Sequence, residues 1–511
     1  MKQKTSCLLL FLAALVFGGT VARAQNAIGI FDDQGDVGVV KHKGSGTYNP
    51  KDQTYQLSGS GSNIWAKADG FHFVWKKMKG DFILRTNAAF IGKGVEDHRK
   101  IGFMVRTSLD SASKQINAVV HGDGLTSLQF RKTDGGITEE KKSTVTHADV
   151  IQLERKGGKY IMSVARKGDL FTEDEISDVD LGDEVYVGIF ICSHNANITE
   201  KAVFNNVRIV TPAPATLVPY RQYLGSAIEI LDIANQNSTV VYQSPKSLQA
   251  PNWMHDGNTL LYNSDGLLYK FNLKTNKPTV FNTGSVNNNN NDHVLSFDGK
   301  WAAISSSVDK SGPSMGWIVP TTGGEPKRMT QVGPSYMHGW SPDGKYLVFC
   351  GARNNEYDVY RIPAAGGPEE RLTNTPGLDD GPEYSPDGKY IYFNSVRSGL
   401  MQVWRMKADG SEQTQLTNDD YNNWFPHVSP DGKWIVYITF LKNEVAPGDH
   451  PFYKHVYLRV MPVGGGPSKV IAYLYGGQGT INTPSWAPDS KHLAFVSNSN
   501  LLFPTFPIAT N

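Results

Sequence analysis

Three histidines, His293, His338 and His427, each stand two or three residues before the serine of a predicted turn. Imidazole and carboxylate groups bind Ca²⁺, Mn²⁺ and Zn²⁺ to differing degrees. If these histidines converge with Asp380 or Gln478, they form a site for such a divalent metal ion. A metal ion there could neutralise a uronate and acidify its α-proton, with a histidine or a lysine as the base.

The same residues support a second interpretation, in which they hydrogen-bond a glycan or a peptide without reacting on it. The sequence leaves both interpretations open, and with them whether the protein is an enzyme. The candidates for catalysis are His338, His427 and Lys454. The candidates for ligand contact share one predicted face of the protein and are His293, His338, Asp379, Asp380, Trp424, His427, His450, Gln478 and Asn482. No HExxH or CxxC motif accompanies them, and we expect no nucleophilic catalysis.

A repeated turn predicts where these residues lie. The stretch Ser341-Pro342-Asp343-Gly344 joins an aromatic strand end to an alternating apolar run; its proline presets φ and its glycine closes the turn. The turn aspartate recurs about every 44 residues, at Asp256, Asp298, Asp343, Asp387, Asp431 and, after a longer interval, Asp489. This period, with four short strands per unit, predicts a β-propeller, and six anchors predict six blades.

Strand direction alternates within a blade, so the repeated turns share one face of the disc and the other loops share the opposite face. The loops that lead into the innermost strands end beside the central channel, and they carry most of the candidate residues. A long loop over residues 441–455 adds His450, Lys454 and His455 to the same face. We therefore expect the ligand on the face away from the repeated turns.

Both ends of the repeat region carry strands without a blade of their own, at residues 227–232, 239–242 and 493–496. Joining them in one blade removes two free sheet edges, so we expect the ring to be closed by its own termini. With its Trp-Ser-Pro-Asp-Gly-Lys repeats, the region 220–511 resembles the TolB-like (PD40) propellers of the bacterial envelope. The resemblance implies the fold, and such propellers serve as peptide-binding scaffolds, as lyases such as the oligogalacturonate lyases, and as peptidase gatekeepers.

Residues 25–210 show short apolar runs between Gly, Asn and Asp turns, which predicts an all-β jelly-roll sandwich. Gly80-Asp81-Phe82, residues 102–106 and the stretch His121-Gly122-Asp123-Gly124 resemble concanavalin A-like (DUF1349-like) domains. That resemblance implies a lectin-like accessory domain. Four polar residues are expected on one face of a sheet, either solvated or in contact with a sugar: Arg106, His121, Gln129 and Arg131.

The first 24 residues combine two lysines, an apolar run and Ala22-Arg23-Ala24, which predicts a signal peptide cleaved after Ala24. No later apolar run is long enough to cross a bilayer, so we expect a periplasmic or secreted protein. The remaining cysteines, Cys192 and Cys350, lie in apolar strands and are expected to be buried free thiols.

A net charge of +1 gives no reason to expect nucleic acid as a partner. The proline-containing stretch 211–219 predicts a linker between the sandwich and the propeller. We expect the ligand to be a carbohydrate or a cell-envelope polymer, and the alternative partner is an envelope protein.

Overall fold

The computed structural model describes residues 27–218, 220–309 and 311–508, and every regular element among them is a β-strand. The prediction of an all-β chain is thereby confirmed. The predicted signal peptide, residues 1–24, lies outside the described residues. The part of the chain that is described contains no helix long and apolar enough to span a membrane.

The N-terminal region, residues 27–210, is built from two seven-stranded antiparallel sheets and a short hairpin. One sheet has the strand order β1-β6-β15-β8-β9-β10-β11, the other β14-β13-β12-β7-β16-β3-β2, and the hairpin pairs β4 with β5. The strands are β1 (Asp33–Val37), β2 (Ser45–Asn49), β3 (Thr54–Gly59), β4 (Ile64–Trp65), β5 (Ala68–Asp69), β6 (Phe71–Met78), β7 (Phe82–Phe90), β8 (Lys100–Arg106), β9 (Gln115–His121), β10 (Thr126–Arg131), β11 (Glu139–Lys142), β12 (Val150–Lys156), β13 (Lys159–Ala165), β14 (Thr172–Ile176), β15 (Val185–Cys192) and β16 (Glu200–Val210).

Side-chain alternation explains how these strands build a core. On β8, Ile101, Phe103 and Val105 join the large apolar cluster of the region, and Met104 and Arg106 face the opposite way. Successive side chains of a strand point to opposite faces, so one sheet contributes to two layers. The face of this sheet that points away from the large cluster is also buried, and it carries the residues predicted to contact a sugar.

The propeller consists of six sheets arranged in sequence order, which confirms the prediction of six blades. Five blades have four strands each, β19 to β22, β23 to β26, β27 to β30, β31 to β34 and β35 to β38, and one sheet has the order β18-β17-β39. The strands are β17 (Ser226–Asp232), β18 (Asn237–Ser244), β19 (Gln249–Trp253), β20 (Thr259–Ser264), β21 (Leu267–Asn272), β22 (Lys277–Val280), β23 (Asn289–Leu295), β24 (Trp301–Ser307), β25 (Ser314–Pro320), β26 (Lys327–Arg328), β27 (Ser335–Trp340), β28 (Tyr346–Arg353), β29 (Glu356–Pro363), β30 (Glu370–Arg371), β31 (Asp379–Tyr384), β32 (Tyr390–Ser395), β33 (Gln402–Lys407), β34 (Thr414–Gln415), β35 (Tyr421–Val428), β36 (Trp434–Leu441), β37 (Lys454–Pro462), β38 (Lys469–Gly476) and β39 (His492–Asn498).

In the three-stranded sheet, β17 pairs antiparallel with β39. Trp486, expected in the innermost strand of this blade, forms only an isolated bridge with Leu493. This blade therefore differs from the four-stranded pattern predicted for every unit.

The repeated turn is a self-contained hydrogen-bonded unit. Ser341 Oγ donates to Asp343 Oδ1 at 2.6 Å and accepts from the Tyr346 backbone N–H at 2.9 Å. The Lys345 N–H donates to Asp343 Oδ1 at 3.1 Å, and the Gly344 N–H donates to the Ser341 carbonyl at 2.8 Å. The same Ser–Asp bond forms in the turns that begin at residues 296, 385 and 429. The turn recurs because its side chains satisfy its own backbone.

The first strand of every four-stranded blade contains a register irregularity. In β27 it lies between Met337 and Gly339, and in β23 between Asn289 and His293. These first strands contact one another from blade to blade and therefore line the middle of the disc. A bulge breaks the strict alternation of side chains, so it changes which residue reaches the channel.

The N-terminal region and the propeller meet in a buried seam. Arg208 of β16 pairs with Glu229 of β17 at 2.7 Å, and both side chains are less than a tenth exposed. Gln53 donates to the Val240 carbonyl and accepts from the Val240 N–H, each at 2.9 Å. His455 of β37 lies 3.0 Å from Glu154 of β12. The seam is thus held by ion pairs and by hydrogen bonds between a side chain and the backbone.

Candidate functional site

A cavity of about 800 Å³ opens on the propeller face opposite the repeated turns. It is lined by the starts of the first strands and by the long loop between β36 and β37, which contributes His450 and Phe452. Its outer part carries Tyr220 and Tyr223, which are 58% and 42% exposed. Its inner part carries buried polar groups, among them Asn291. The lining therefore passes from exposed aromatic rings to buried polar side chains.

Three charged side chains meet at the inner end of this cavity. His338 Nε2 lies 3.2 Å from Asp380 Oδ1 and 4.0 Å from Asp292 Oδ1. The His338 ring also stacks on Phe425, with ring centroids 6.0 Å apart. Each of the three comes from the first strand of a different blade, β23, β27 or β31. The ring of blades thus brings together groups that are distant in sequence.

The environment sets the charge of these groups. Burial raises the pKa of Asp292 to about 6, against the opposing effect of His338 and with support from the Asp380 charge. Burial alone would lower the pKa of His338, but its hydrogen bond and its charge interactions with Asp380 and Asp292 raise it. For Asp380, contact with His338 outweighs burial and lowers the pKa. The raised pKa of His338 and the lowered pKa of Asp380 both favour an ion pair between the two side chains, and Asp292 can gain a proton in mildly acidic solution.

His450 and Trp424 stand beside this cluster, with ring centroids 4.3 Å apart. Burial lowers the pKa of His450, and its Nδ1 atom is buried without a hydrogen-bond partner. Trp424, predicted to contact the ligand, is fully buried behind His450 and does not line the cavity. That prediction is corrected: the indole supports the ring that lines the site.

The three predicted metal-binding histidines do not come together. The His293 ring is fully buried, and its Nε2 lies 3.3 Å from the Leu261 carbonyl. His427 Nδ1 lies 2.6 Å from Glu383, and its Nε2 lies 2.5 Å from the Ile481 carbonyl. Of the three, only His338 lines the cavity. Among the described residues, the donor group close enough to hold a metal ion contains none of them, so the geometry does not assemble the expected metal site.

The other predicted residues divide into lining and supporting positions. Gln478 lines the cavity, and its Oε1 accepts a hydrogen bond from the Tyr220 hydroxyl at 3.2 Å. Asn482 is buried, and its Oδ1 accepts a hydrogen bond from the Gly479 N–H at 2.5 Å. Asp379 points away into an ion pair with Arg397 at 2.7 Å, and Lys454 begins β37 outside the lining.

The sequence interpretation missed several lining residues: Tyr220, Tyr223, Asn289, Asn291, Tyr336 and Phe452. One signal could have revealed Tyr336, because it stands two residues before His338 on the same predicted strand, and side chains two apart share a face. Asp292 stands directly beside the chosen His293 in the sequence. Tyr220 and Tyr223 lie before the first blade, where no repeat marks their position.

The four residues proposed as sugar contacts in the N-terminal region are all buried. Arg131 donates to Asp69 through Nη1 at 3.0 Å and through Nη2 at 2.6 Å, and Arg106 lies 3.5 Å from the same carboxylate. Neither guanidinium has any exposed surface. The expectation that the arginines face solvent or a sugar is therefore wrong, because the β4–β5 hairpin that carries Asp69 covers them. Gln129 contacts His121 Nε2 at 3.2 Å.

A six-bladed all-β disc with a polar cavity on its loop face defines the fold as a β-propeller. Residues 333–449 match the family model described as the TolB beta propeller domain, PD40. The uncharacterized protein Atu1656 of Agrobacterium fabrum is 44% identical over 272 residues, which are 53% of this chain and 92% of the relative. At this identity and coverage, the chain belongs to the TolB-like β-propeller family.

Solved structures agree with this assignment. A TolB-like protein of Agrobacterium tumefaciens is 43% identical and superposes with a TM-score of 0.52. The match covers 55% of this chain and the whole of that protein. An oligogalacturonate lyase in complex with manganese is 15% identical over 52% of this chain and 74% of its own, with a TM-score of 0.33. The second likeness is too low to carry an argument about activity.

Proposed function

We propose that this protein binds a carbohydrate or a related envelope polymer in the cavity on the loop face of its propeller. The observation that carries the proposal is the change in lining, from exposed Tyr220 and Tyr223 to buried Asn291, Asp292 and Asp380. Aromatic rings can stack on the apolar face of a sugar, and amide and carboxylate groups bind its hydroxyls. A volume of about 800 Å³ accommodates a short oligosaccharide or peptide segment.

The charge of the cavity limits the chemical class of the ligand. Three carboxylates, Asp265, Asp292 and Asp380, line it, and the described lining residues include neither lysine nor arginine. His338 beside Asp380 and Lys246 beside Asp265 offset only part of this negative charge. An anionic ligand would be repelled by the rest, so neutral or amino sugars fit better than uronates. The three predicted metal-binding histidines do not come together, which also argues against a metal-dependent uronate lyase. This enzyme is therefore the less favoured alternative.

Family membership favours a second candidate function, that of a protein-interaction scaffold in the bacterial envelope. Under both proposals the chain acts in the periplasm or outside the cell, as its predicted signal peptide implies. The N-terminal region would serve as a concanavalin A-like jelly-roll domain with an accessory role. The sheet shared by β17 and β39 would close the propeller ring.

The test is a binding screen of the purified full chain against neutral, amino and uronic-acid oligosaccharides, followed by calorimetry on the hits. We expect neutral or amino sugars to bind, and Tyr223→Ala and Asp380→Asn to weaken binding at least about tenfold, which corresponds to about 1.4 kcal/mol. Phe297→Ala is the matched control, because Phe297 is an aromatic ring 39% exposed on the opposite, turn-bearing face.

Three results would contradict the carbohydrate proposal. If binding is unchanged in both Tyr223→Ala and Asp380→Asn, the ligand does not bind in the cavity. Absorbance of an unsaturated product from uronate oligomers would favour the lyase. Failure of every sugar, together with capture of a defined envelope protein that Asp380→Asn abolishes, would favour the scaffold.

A further inference from the structure

The N-terminal region contains a group of metal-binding side chains that lies outside the propeller cavity. His98, His121 and Asp123 each offer one donor atom, and the three atoms lie within 4.8 Å of one another. His98 belongs to the loop between β7 and β8, His121 ends β9, and Asp123 lies in the turn that follows. From this grouping we propose that the three residues form a binding site for a divalent transition metal ion, with Zn²⁺ as the best match.

The donor spacing already suits a bound metal. His98 Nδ1 and His121 Nδ1 are 3.3 Å apart. Two nitrogens held about 2.0–2.1 Å from a tetrahedral Zn²⁺ ion would be separated by about 3.3 Å. Asp123 Oδ2 lies 3.9 Å from His98 Nδ1, so its carboxylate has to move by about half an ångström to reach a tetrahedral position. Asp123 is exposed and has room for this movement.

Two backbone hydrogen bonds hold the ligand-bearing loops together without a metal. The Gly122 N–H donates to the Arg99 carbonyl at 2.9 Å, and the Asp123 N–H donates to the Asp97 carbonyl at 2.8 Å. The loop that carries His98 is therefore fixed beside the turn that carries Asp123. A metal ion would bind ligands that are largely in place, and little conformational entropy would be lost.

A neighbouring amide can set the tautomer of the inner ligand, His121. Gln129 contacts His121 Nε2, and Gln129 Oε1 is buried without a partner. A half turn of this amide, at the cost of its bond to Glu140, lets Oε1 accept the Nε2 proton and frees Nδ1 for the metal.

A third imidazole stands beside the group. The His194 ring centroid lies 5.6 Å from that of His98, and His194 Nδ1 is buried without a hydrogen-bond partner. His194 or a water molecule can complete a four-coordinate site. Imidazole donors with one carboxylate favour Zn²⁺ over Ca²⁺ or Mg²⁺, which prefer oxygen ligands. The Lys100 ammonium opposes the charge of the ion and limits its affinity.

The experiment is calorimetric titration of the metal-free full chain with ZnCl₂ at neutral pH, with Co²⁺ as a spectroscopic substitute. We expect one equivalent of Zn²⁺ to bind and Co²⁺ to give the visible absorption of a four-coordinate site. His98→Ala and the isosteric Asp123→Asn should each weaken binding at least about tenfold. His98 is about half exposed, so its removal should leave the far-ultraviolet circular dichroism unchanged.

His492→Ala is the control, because His492 forms an exposed histidine–carboxylate pair with Asp489 on the propeller. Its Zn²⁺ affinity should equal that of the unaltered chain. Absence of a single-equivalent site, unchanged affinity in both His98→Ala and Asp123→Asn, or an equal loss in His492→Ala would each overturn the proposal. The site lies in the N-terminal region, so none of these outcomes depends on the cavity ligand.

Discussion

The buried pair between Arg208 and Glu229 gives a quantitative test of the seam. Replacing Arg208 with Met keeps much of the side-chain volume and leaves the Glu229 carboxylate, which is 2% exposed, without its cation. Breaking a buried pair in this way costs about 3–5 kcal/mol. Glu229 keeps hydrogen bonds from Ser238 Oγ at 2.7 Å and Ser497 Oγ at 2.6 Å, and the Arg85 charge remains near. We therefore expect a loss near the lower limit, about 3 kcal/mol at pH 7.

The pH dependence identifies the cause. In the native chain the pKa of Glu229 is lowered, because the charge and hydrogen bonds of Arg208 outweigh burial. Its contribution to stability is thus present above the unfolded-state pKa and is lost as the pH falls through the folded-state value. Without Arg208, burial dominates and raises the pKa of Glu229, so the carboxylate can become neutral at mildly acidic pH. The destabilisation caused by Arg208→Met should therefore be larger at pH 7 than at about pH 4.5.

Urea denaturation followed by intrinsic fluorescence measures both quantities. The double variant Arg208→Met/Glu229→Gln should recover a large part of the loss, because no buried carboxylate is then left without the Arg208 cation. Arg166→Met is the matched control, since Arg166 pairs with Asp149 at 3.1 Å on the surface, where such pairs contribute about 0–1 kcal/mol. A loss below about 1 kcal/mol, the same loss at both pH values, or simple additivity in the double variant would refute the reasoning.

Two further predictions concern other buried groups. The carboxylates of Glu154 and Glu444 lie 3.0 and 3.4 Å from the ring nitrogens of His455, and their effect outweighs burial and raises its pKa to about 9. Its stabilising effect should be full below about pH 6.5 and lost as the pH rises through 9, so His455→Gln should lower the melting temperature at pH 6 more than at pH 9.5. Cys192 and Cys350 are buried, with thiol pKa values raised by burial, to about 11 for Cys192. Neither should react with N-ethylmaleimide before unfolding, as peptide mass spectrometry will show, and fast labelling of the native chain would contradict this.

The propeller was predictable because its turns are locally determined. Each turn satisfies its backbone through the side chains of one short stretch, so the signal repeats wherever the structure repeats. The number of blades and the face of the disc then follow from the period. The strands of the N-terminal region were predictable from alternation, but the cover over its outer sheet face was not. Asp69 lies far from Arg131 in sequence, and nothing local marks them as partners.

The cavity was predictable only in part, and the two equivalent histidines explain why. His293 and His338 both stand three residues before a turn serine, yet only His338 reaches the cavity. His338 lies within the bulge of β27, between Met337 and Gly339. In β23 the bulge ends before His293, which pairs regularly with Ile304, and Asp292 lines the cavity instead. A shift of one residue in the position of the bulge changes which side chain lines the cavity, and no residue type in the sequence indicates this shift.

The seam between the N-terminal region and the propeller limits how the protein can be divided. Tyr457 and Tyr473 of the propeller pack against Val150 and Ala165 of the other half, and Tyr473 also bonds the Asp169 carbonyl. A propeller expressed without the N-terminal region, from the proline-containing stretch onward, would expose these rings. It would also leave the Glu229 carboxylate without Arg208. Its solubility would then require new polar residues at that surface. The sequence suggests two separable domains, but in this chain each half supplies part of the other's interior, so the two halves should be expressed and engineered together.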